Sequence, residues 1–330
     1  MNHMPRIALF ANHGSPQLEA LRQQVEAQGG EPVVLDINLG GKRTPKLAIG
    51  AGELTWEGVD FSDIQAVHIR CTAPNTLPSL PPMLHEISHA EQRLVYLKEQ
   101  AYSAATGAFF DHLHQLGRLV VNPLTSGYLD HDTKAQLYEK LRASGFPAPR
   151  TLTTNDPKQA EAFLRDYPSC VVKPSIGVGS TREVRPDDLI RLEEVRRAPV
   201  MFQERATGDV IRVHIVADRV VLSLRVISDG GVDSRTSTRR FEPHTLPEHQ
   251  ESQLVAANRM LGLHYAAWDI IASEDGSYRW LDCNPGPYVM WIGADLVRLL
   301  FRELARYLVT FARSGSLEEA SASVRSCRHP

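Results

Sequence analysis

Apolar and polar residues follow one another in runs whose period changes along the chain. Residues 6–12 (Arg-Ile-Ala-Leu-Phe-Ala-Asn) form a short apolar run of the kind a buried strand needs. From Gln17 to Gln28, Leu18, Leu21 and Val25 recur at helical spacing, and Gly29-Gly30 supplies the stop. Pro32–Asp36 and Ile64–Arg70 read as further strands, with a loop-rich stretch between them through Gly40-Gly41 and Gly50–Gly52. Met83–Gly117 lacks proline and repeats apolar residues with helical period, which predicts one or two long helices; Leu119–Pro123 is a strand and its stop. Strand–helix–strand order predicts a doubly wound parallel sheet.

A second region opens near Asp130. The pattern predicts a helix over Lys134–Ser144, ended by Gly145 and Pro147, then strand 150–154, helix 156–166 and strand 170–173. A glycine loop (Ser175–Ser180), a helix over 186–197 and a strand over 200–204 follow. The third region starts with two β-branched runs, 210–217 and 219–227, flanking Asp218 as a hairpin. A helix (248–261), strands 265–273 and 278–284 around Glu274-Asp275-Gly276, and an amphipathic helix from about Ala294 to Ala312 complete it. The small, polar tail after Ser314 is expected to fray, and the chain has no internal repeat.

The chain's 330 residues suggest about two domains, and 42% hydrophobic with 23% charged residues is ordinary globular composition. With 36 basic against 39 acidic residues, the net charge of −3 argues against a bulk binder of nucleic acid or anionic membrane. The four cysteines are scattered without a C-x-x-C pair, which signals neither a disulfide framework nor a cysteine zinc site and points to the reducing cytoplasm. Met1–Phe10 lacks a basic segment followed by a long apolar run, so no signal peptide is expected, and no stretch reaches the roughly 18 apolar residues a membrane span needs.

Two motifs mislead. His85-Glu-Ile-Ser-His89 matches the H-E-x-x-H zinc pattern, but Gln92 and Val95 stand where metzincins need glycine and histidine. No Glu lies between Glu99 and Glu139, so the pattern reads as a solvated helix face. Gly177-Val-Gly-Ser-Thr-Arg182 begins like a dinucleotide fingerprint, yet its third glycine is Arg182, and it lacks the Gly-Lys-Ser/Thr of a Walker loop. Its amides still suit an anion.

Three features carry candidate chemistry. Val171-Val-Lys-Pro174 puts Lys173 at the end of an apolar strand just before that loop, where a lysine is costly unless it meets an anion. Val200–Glu204 ends in an acid, as at a hinge whose backbone meets a base edge; Arg212 and His214 then alternate with apolar residues and share one sheet face. Asp282 and Asn284 point to one side of a strand, with Asp269 on the preceding strand, a hard-oxygen set suited to Mg²⁺.

In this order, a lysine on a helix start, a lysine before a glycine loop, a Gln-Glu hinge, a strand arginine and Asp…Asp-x-Asn-Pro, the chain resembles the ATP-grasp superfamily, RimK-like branch. It is most similar to ATP-grasp maturases of ribosomal peptides, the microviridin- or graspetide-type ligases. Asp132-Thr-Lys134, Arg150–Asp156, Val232-Asp-Ser-Arg235 and Asn284–Trp291 carry that closer likeness. Three departures stand out: Asp282-Cys-Asn284 replaces the usual Glu-x-Asn, Val210 with Asp209 beside it stands where an acid precedes the strand arginine, and no Gln follows Asn-Pro.

The resemblance implies an α/β chain, α+β in its C-terminal half. It implies an N-terminal domain over 1–129, a mobile central lid over 130–205, a catalytic domain over 206–314 and a flexible tail over 315–330. Lys134 and Lys173 would hold the α/β-phosphates of ATP, and Ser175, Gly177, Gly179 and Ser180 would cover the β/γ region. Gln203 and Glu204 would read adenine, Arg205 would offer its backbone there, and Asp209 would meet the ribose. Arg212 and Arg235 would stabilise the transferring phosphoryl, and Asp269, Asp282 and Asn284 would carry Mg²⁺, expected as two ions. The implied reaction joins a carboxylate to an amine or hydroxyl through an acyl phosphate. Its substrate is a precursor peptide, or else a small carboxylate–amine pair. No nucleic acid or membrane partner is implied, and a homodimer is a family-based expectation. Two further readings stay open: a nucleotide sensor that keeps only the pocket, and a phosphotransferase.

Overall fold

The computed structural model describes residues 4–12, 14–37, 45–70, 88–124, 134–175, 181–228 and 239–326. The chain divides into two compact units, and both are discontinuous in sequence.

The first unit takes residues 1–125, 263–265 and 286–325. Its main sheet has the order β2-β1-β6-β7, with β1 over Arg6–Ala11, β2 over Glu31–Asp36, β6 over Ala66–Ile69 and β7 over Leu119–Val121. All three pairings are parallel, as the alternation of strands and helices predicts. Helix α1 (Pro16–Ala27) is capped by Ser15, whose side chain accepts from the Leu18 amide, and buries Gln17, Leu18, Leu21 and Val25. A single helix, α2 (His89–Gln115), answers the long periodic stretch, and a Ser88–Glu91 capping box fixes its start. Ser88 belongs to the H-E-x-x-H match; His85 lies outside the described residues.

The stretch read as loop-rich holds instead a small antiparallel sheet, β3 (Leu47–Gly50), β4 (Glu53–Trp56) and β5 (Val59–Asp60). Gly50, Ala51 and Gly52 all take positive φ, so the glycines mark a tight turn between paired strands. Trp56, fully buried, packs edge-on to Phe10 at 5.0 Å and Phe109 at 5.3 Å.

The helix Ala294–Ser314 belongs to this same unit and packs on α1, β1, β6 and β7. Its apolar stripe includes Leu300, Phe301, Leu304 and Leu308, all fully buried. Near its end Arg313 donates to the carbonyls of Gln28 and Gly29 at 3.0 and 2.9 Å, and Gly30 lies so close to Val309 that it has no room for a Cβ. The tail departs from expectation. Helix Leu317–Ser323 forms there, because Ser316 caps it through the Glu319 amide and Ala320 and Val324 are buried.

Two side-chain amides of this unit grip backbone. Asn122 accepts from the His264 and Tyr265 amides at 2.8 and 2.9 Å and donates to the Tyr265 carbonyl at 2.6 Å. Gln17 donates to the Pro287 carbonyl and accepts from the Val289 amide, both at 2.9 Å.

The second unit takes residues 126–262, 266–285 and 326–330. One sheet has the order β10-β9-β11-β8, antiparallel throughout: β8 Thr151–Thr154, β9 Cys170–Pro174, β10 Arg182–Glu183, β11 Val200–Glu204. Helix Pro157–Asp166 covers one face around Leu164 and Phe202. The predicted helix over 186–197 breaks into an α-turn (Pro186–Ile190) and a 3₁₀ segment (Leu192–Arg197). The other sheet has the order β14-β13-β12-β15-β16: β12 Asp209–Val216, β13 Arg219–Ser228, β14 Arg239–Pro243, β15 Tyr265–Ala272, β16 Tyr278–Asn284. Helix Glu248–Met260 belongs to this unit, where Asn258 accepts a bond from the Trp268 indole at 3.3 Å. Helix α3 (Lys134–Ala143) buries Leu137, Tyr138 and Leu141.

Candidate active site

The antiparallel register of β15 and β16 sets Asp269 directly opposite Asp282 and Ala267 opposite Asn284. Paired positions share a sheet face, and so do positions two apart. Asp269, Asp282 and Asn284 therefore project together, and the Asn284 amide lies 3.4 Å from an Asp269 oxygen. Each carboxylate meets a cation. Lys134, the first residue of α3, reaches Asp282 at 2.9 Å, and Arg212 on β12 reaches both oxygens of Asp269 at 2.9 and 3.0 Å. Both pairs are largely buried, with side-chain exposures of 11% and 20% for the first and 11% and 25% for the second. Burial raises the pKa of Asp269, Arg212 opposes that shift, and the negative Asp282 beside it adds to it.

Asp269 and Asp282 with the Asn284 carbonyl offer hard oxygens from two adjacent strands, a donor set that fits Mg²⁺. Among the described residues no group of three His, Cys, Asp or Glu stands together, so the third ligand would be that amide oxygen.

Lys173 on β9 lies opposite Met201 on β11, which puts it on the sheet face shared with Gln203 and Thr151. Its ammonium donates to the Tyr138 hydroxyl at 2.7 Å and sits 4.9 Å from the ring centroid. The same hydroxyl donates to the Leu281 carbonyl. Burial lowers the Lys173 pKa from 10.5 to about 8, against the pull of Asp282. Burial also raises the Tyr138 pKa, so the phenol stays neutral.

The hinge residues differ from one another. Gln203 is buried and donates to Thr151 Oγ1 at 2.8 Å. Glu204 points to the opposite sheet face, where its carboxylate accepts from the Arg150 amide at 3.2 Å. Arg205, whose backbone is expected to meet a base, donates its amide to the Ser169 carbonyl at 2.9 Å, and its side chain pairs with Glu183 at 3.0 Å. Asp209 is exposed at the start of β12 and pairs with Arg225 at 3.0 Å. Gly208 just before it has φ +142 and presses on the Ala272 carbonyl, where no side chain fits. Ser175 is described next to Pro199; Gly177, Gly179, Ser180 and Arg235 lie outside the described residues.

The structure thus pairs Lys134 with Asp282 and Arg212 with Asp269 beside Asn284, and it ties Lys173 to Tyr138, a residue the sequence analysis does not single out. A signal existed: Tyr138 is four residues from Lys134, so both occupy one helix face. His214, on the same strand as Arg212, is buried, and burial together with the Arg212 charge lowers its pKa and keeps it neutral.

Among the described residues no helix is long and apolar enough to cross a membrane. No family model matches the chain. It is 27% identical over 172 residues to the tetrahydromethanopterin:alpha-L-glutamate ligase of Methanocaldococcus jannaschii, a match covering 48% of this chain and 58% of that protein. The chain thus spans little more than half the length of this curated relative. Among solved structures it is similar to the ATP-grasp ligase PsnB complexed with a minimal precursor, Mg and ADP, with 25% identity, a TM-score of 0.77, and 93% and 98% of the two chains covered. The macrocyclase MdnC of Microcystis aeruginosa, bound with precursor peptide MdnA, shares the fold at 19% identity, a TM-score of 0.73, and coverage of 92% and 99%.

Proposed function

The chain has the ATP-grasp ligase fold, and from that premise we propose that it joins a carboxylate to an amine or hydroxyl at the expense of ATP, acting on a ribosomally made precursor peptide. The observation that carries the reading is the register pairing of Asp269 with Asp282, with Lys134 and Arg212 drawn onto them.

The substrate carboxylate oxygen attacks the γ-phosphorus, the bond to the leaving ADP oxygen breaks, and an acyl phosphate forms. The amine or hydroxyl then attacks the acyl carbon, phosphate leaves, and the nucleophile's proton passes to solvent or to the phosphate. Such transfer needs positioning and charge neutralisation more than covalent help. Lys134 and Lys173 supply cations for the nucleotide phosphates, and Arg212 supplies one for the transferring group. Asp269, Asp282 and Asn284 would hold Mg²⁺, two ions in our reading, which when bound neutralises phosphate charge and templates the in-line geometry. The glycine loop around Ser175 and the strand end at Gln203–Glu204 serve the triphosphate and base, with Asp209 toward the ribose. The cytoplasm is the compartment we assign.

The test is ADP release by the full chain with peptides encoded beside its gene, read with product mass. A peptide lighter by one water per linkage supports the reading. A glutamate-ligase activity is the second reading, favoured by the curated relative; it would add one glutamyl residue instead. Tight ATP binding with no ADP from any carboxylate–amine pair would sink both.

A further inference from the structure

Tyr138 Oη stands where three elements of the second unit meet. It is carried by α3, accepts from the β9 ammonium of Lys173 at 2.7 Å, and donates to the β16 carbonyl of Leu281. One residue along β16, Asp282 takes Lys134 from one turn earlier on α3. The helix is therefore pinned to consecutive positions of β16 by Lys134 and Tyr138, and through the phenol it also fixes the β9 lysine. A lysine ammonium is a compact charge on a flexible four-carbon stem with three donors and no acceptor. Its position depends on what accepts from it. Here one donor is bound by a neutral oxygen that is itself oriented by its bond to Leu281, and among the described residues no hydrogen bond holds the other two. A leucine at 138 would fill the same core volume but would leave both the ammonium and the Leu281 carbonyl without that partner.

We propose that Tyr138 is a positioning residue for nucleotide binding, holding the Lys173 ammonium at a fixed distance from the Asp282 strand so that it meets phosphate. The inference rests on the ATP-binding reading above and adds a residue to it. The phenol also bonds the Leu281 carbonyl and meets Gln203, but the positioning effect proposed here runs through the Lys173 ammonium, so that part of its effect on nucleotide affinity exists only while Lys173 is present.

The experiment is a double-mutant cycle on the full chain, with Mg·ADP and Mg·AMPPNP affinity measured by calorimetry. Tyr138→Phe keeps the ring and removes the hydroxyl; it is expected to weaken binding about tenfold in the wild-type background, the scale of a hydrogen bond to a charged group. In a Lys173→Met background the same change is expected to alter affinity less than about twofold. Equal losses in both backgrounds would mean a merely structural role and would overturn the proposal, as would unchanged affinity in the wild-type background. If Lys173→Met itself leaves affinity intact, the positioning role falls while the ligase reading stands. If the wild-type chain binds neither nucleotide, the ligase reading falls first. Should Tyr138→Phe fail to fold, 3-fluorotyrosine at 138 keeps the volume and weakens the acceptor. It is expected to loosen binding about two- to threefold with Lys173 present and not at all with Lys173→Met, and a loss in both backgrounds again overturns the proposal.

Discussion

Raising the pH tests Lys173 without mutation. In the folded protein its ammonium gives up a proton near pH 8, because burial strips it of water. The unfolded lysine keeps its proton to about 10.4. Between those values the unfolded state binds more protons, so stability rises with pH there, and below pH 8 the folded state carries the full cost of the buried charge, roughly 3 kcal/mol. That cost is what a phosphate can offset. About nine-tenths of Lys173 is charged at pH 7 and about one-tenth at pH 9, so nucleotide binding at pH 9 must take up a proton. The dissociation constant of Mg·ADP is expected to rise about tenfold between pH 7 and 9. Calorimetry in buffers of different ionisation enthalpy measures both the affinity and the proton uptake. Lys173→Arg, charged throughout, is expected to give a flat profile. A flat wild-type profile, or the same slope in Lys173→Arg, would refute the assignment of the charge to Lys173.

Three other outcomes follow from the structure. Asp282→Asn keeps the side-chain shape but removes one of two register-paired carboxylates; ADP release in Mg²⁺ is expected to fall at least about a hundredfold, with circular dichroism unchanged. Gly208→Ala forces a Cβ into the Ala272 carbonyl at a positive φ and is expected to destabilise the fold by about 2 kcal/mol or more, seen as a lower urea midpoint. Gln17→Ala leaves the buried Pro287 carbonyl and Val289 amide without their partner and is expected to lose about 2–4 kcal/mol in the same assay.

The parallel sheet of the first unit was legible because each strand is a short apolar run and each helix carries its own stop, as Gly29-Gly30 shows. Lys173, Asp269, Asp282 and Asn284 were legible because their chemistry is expensive where the pattern puts them. The β3–β5 sheet was not: its strands are two to four residues long, too short for a period of two to stand out, and its glycines read as loop. Tyr138 was hidden for another reason. A phenol on the apolar face of a helix looks like core, and its two bonds reach partners 35 and 143 residues away. The grips of Asn122 and Gln17 lie beyond local pattern altogether, since they act on backbone 142 to 272 residues further on.

The discontinuity of the first unit has a consequence for synthesis. Its sheet and α1 lie near the start of the chain, but the helix that covers them begins at Ala294. At about 5–20 residues per second, a ribosome needs roughly 15–50 seconds to travel from one to the other. During that time the apolar surfaces of Ile7 and Val25 wait for Val309, while every described strand of the second unit emerges before Ala294. The first unit can therefore be completed only after the helix over Ala294–Ser314 has been made. Neither unit can be released whole by a single cut of the chain.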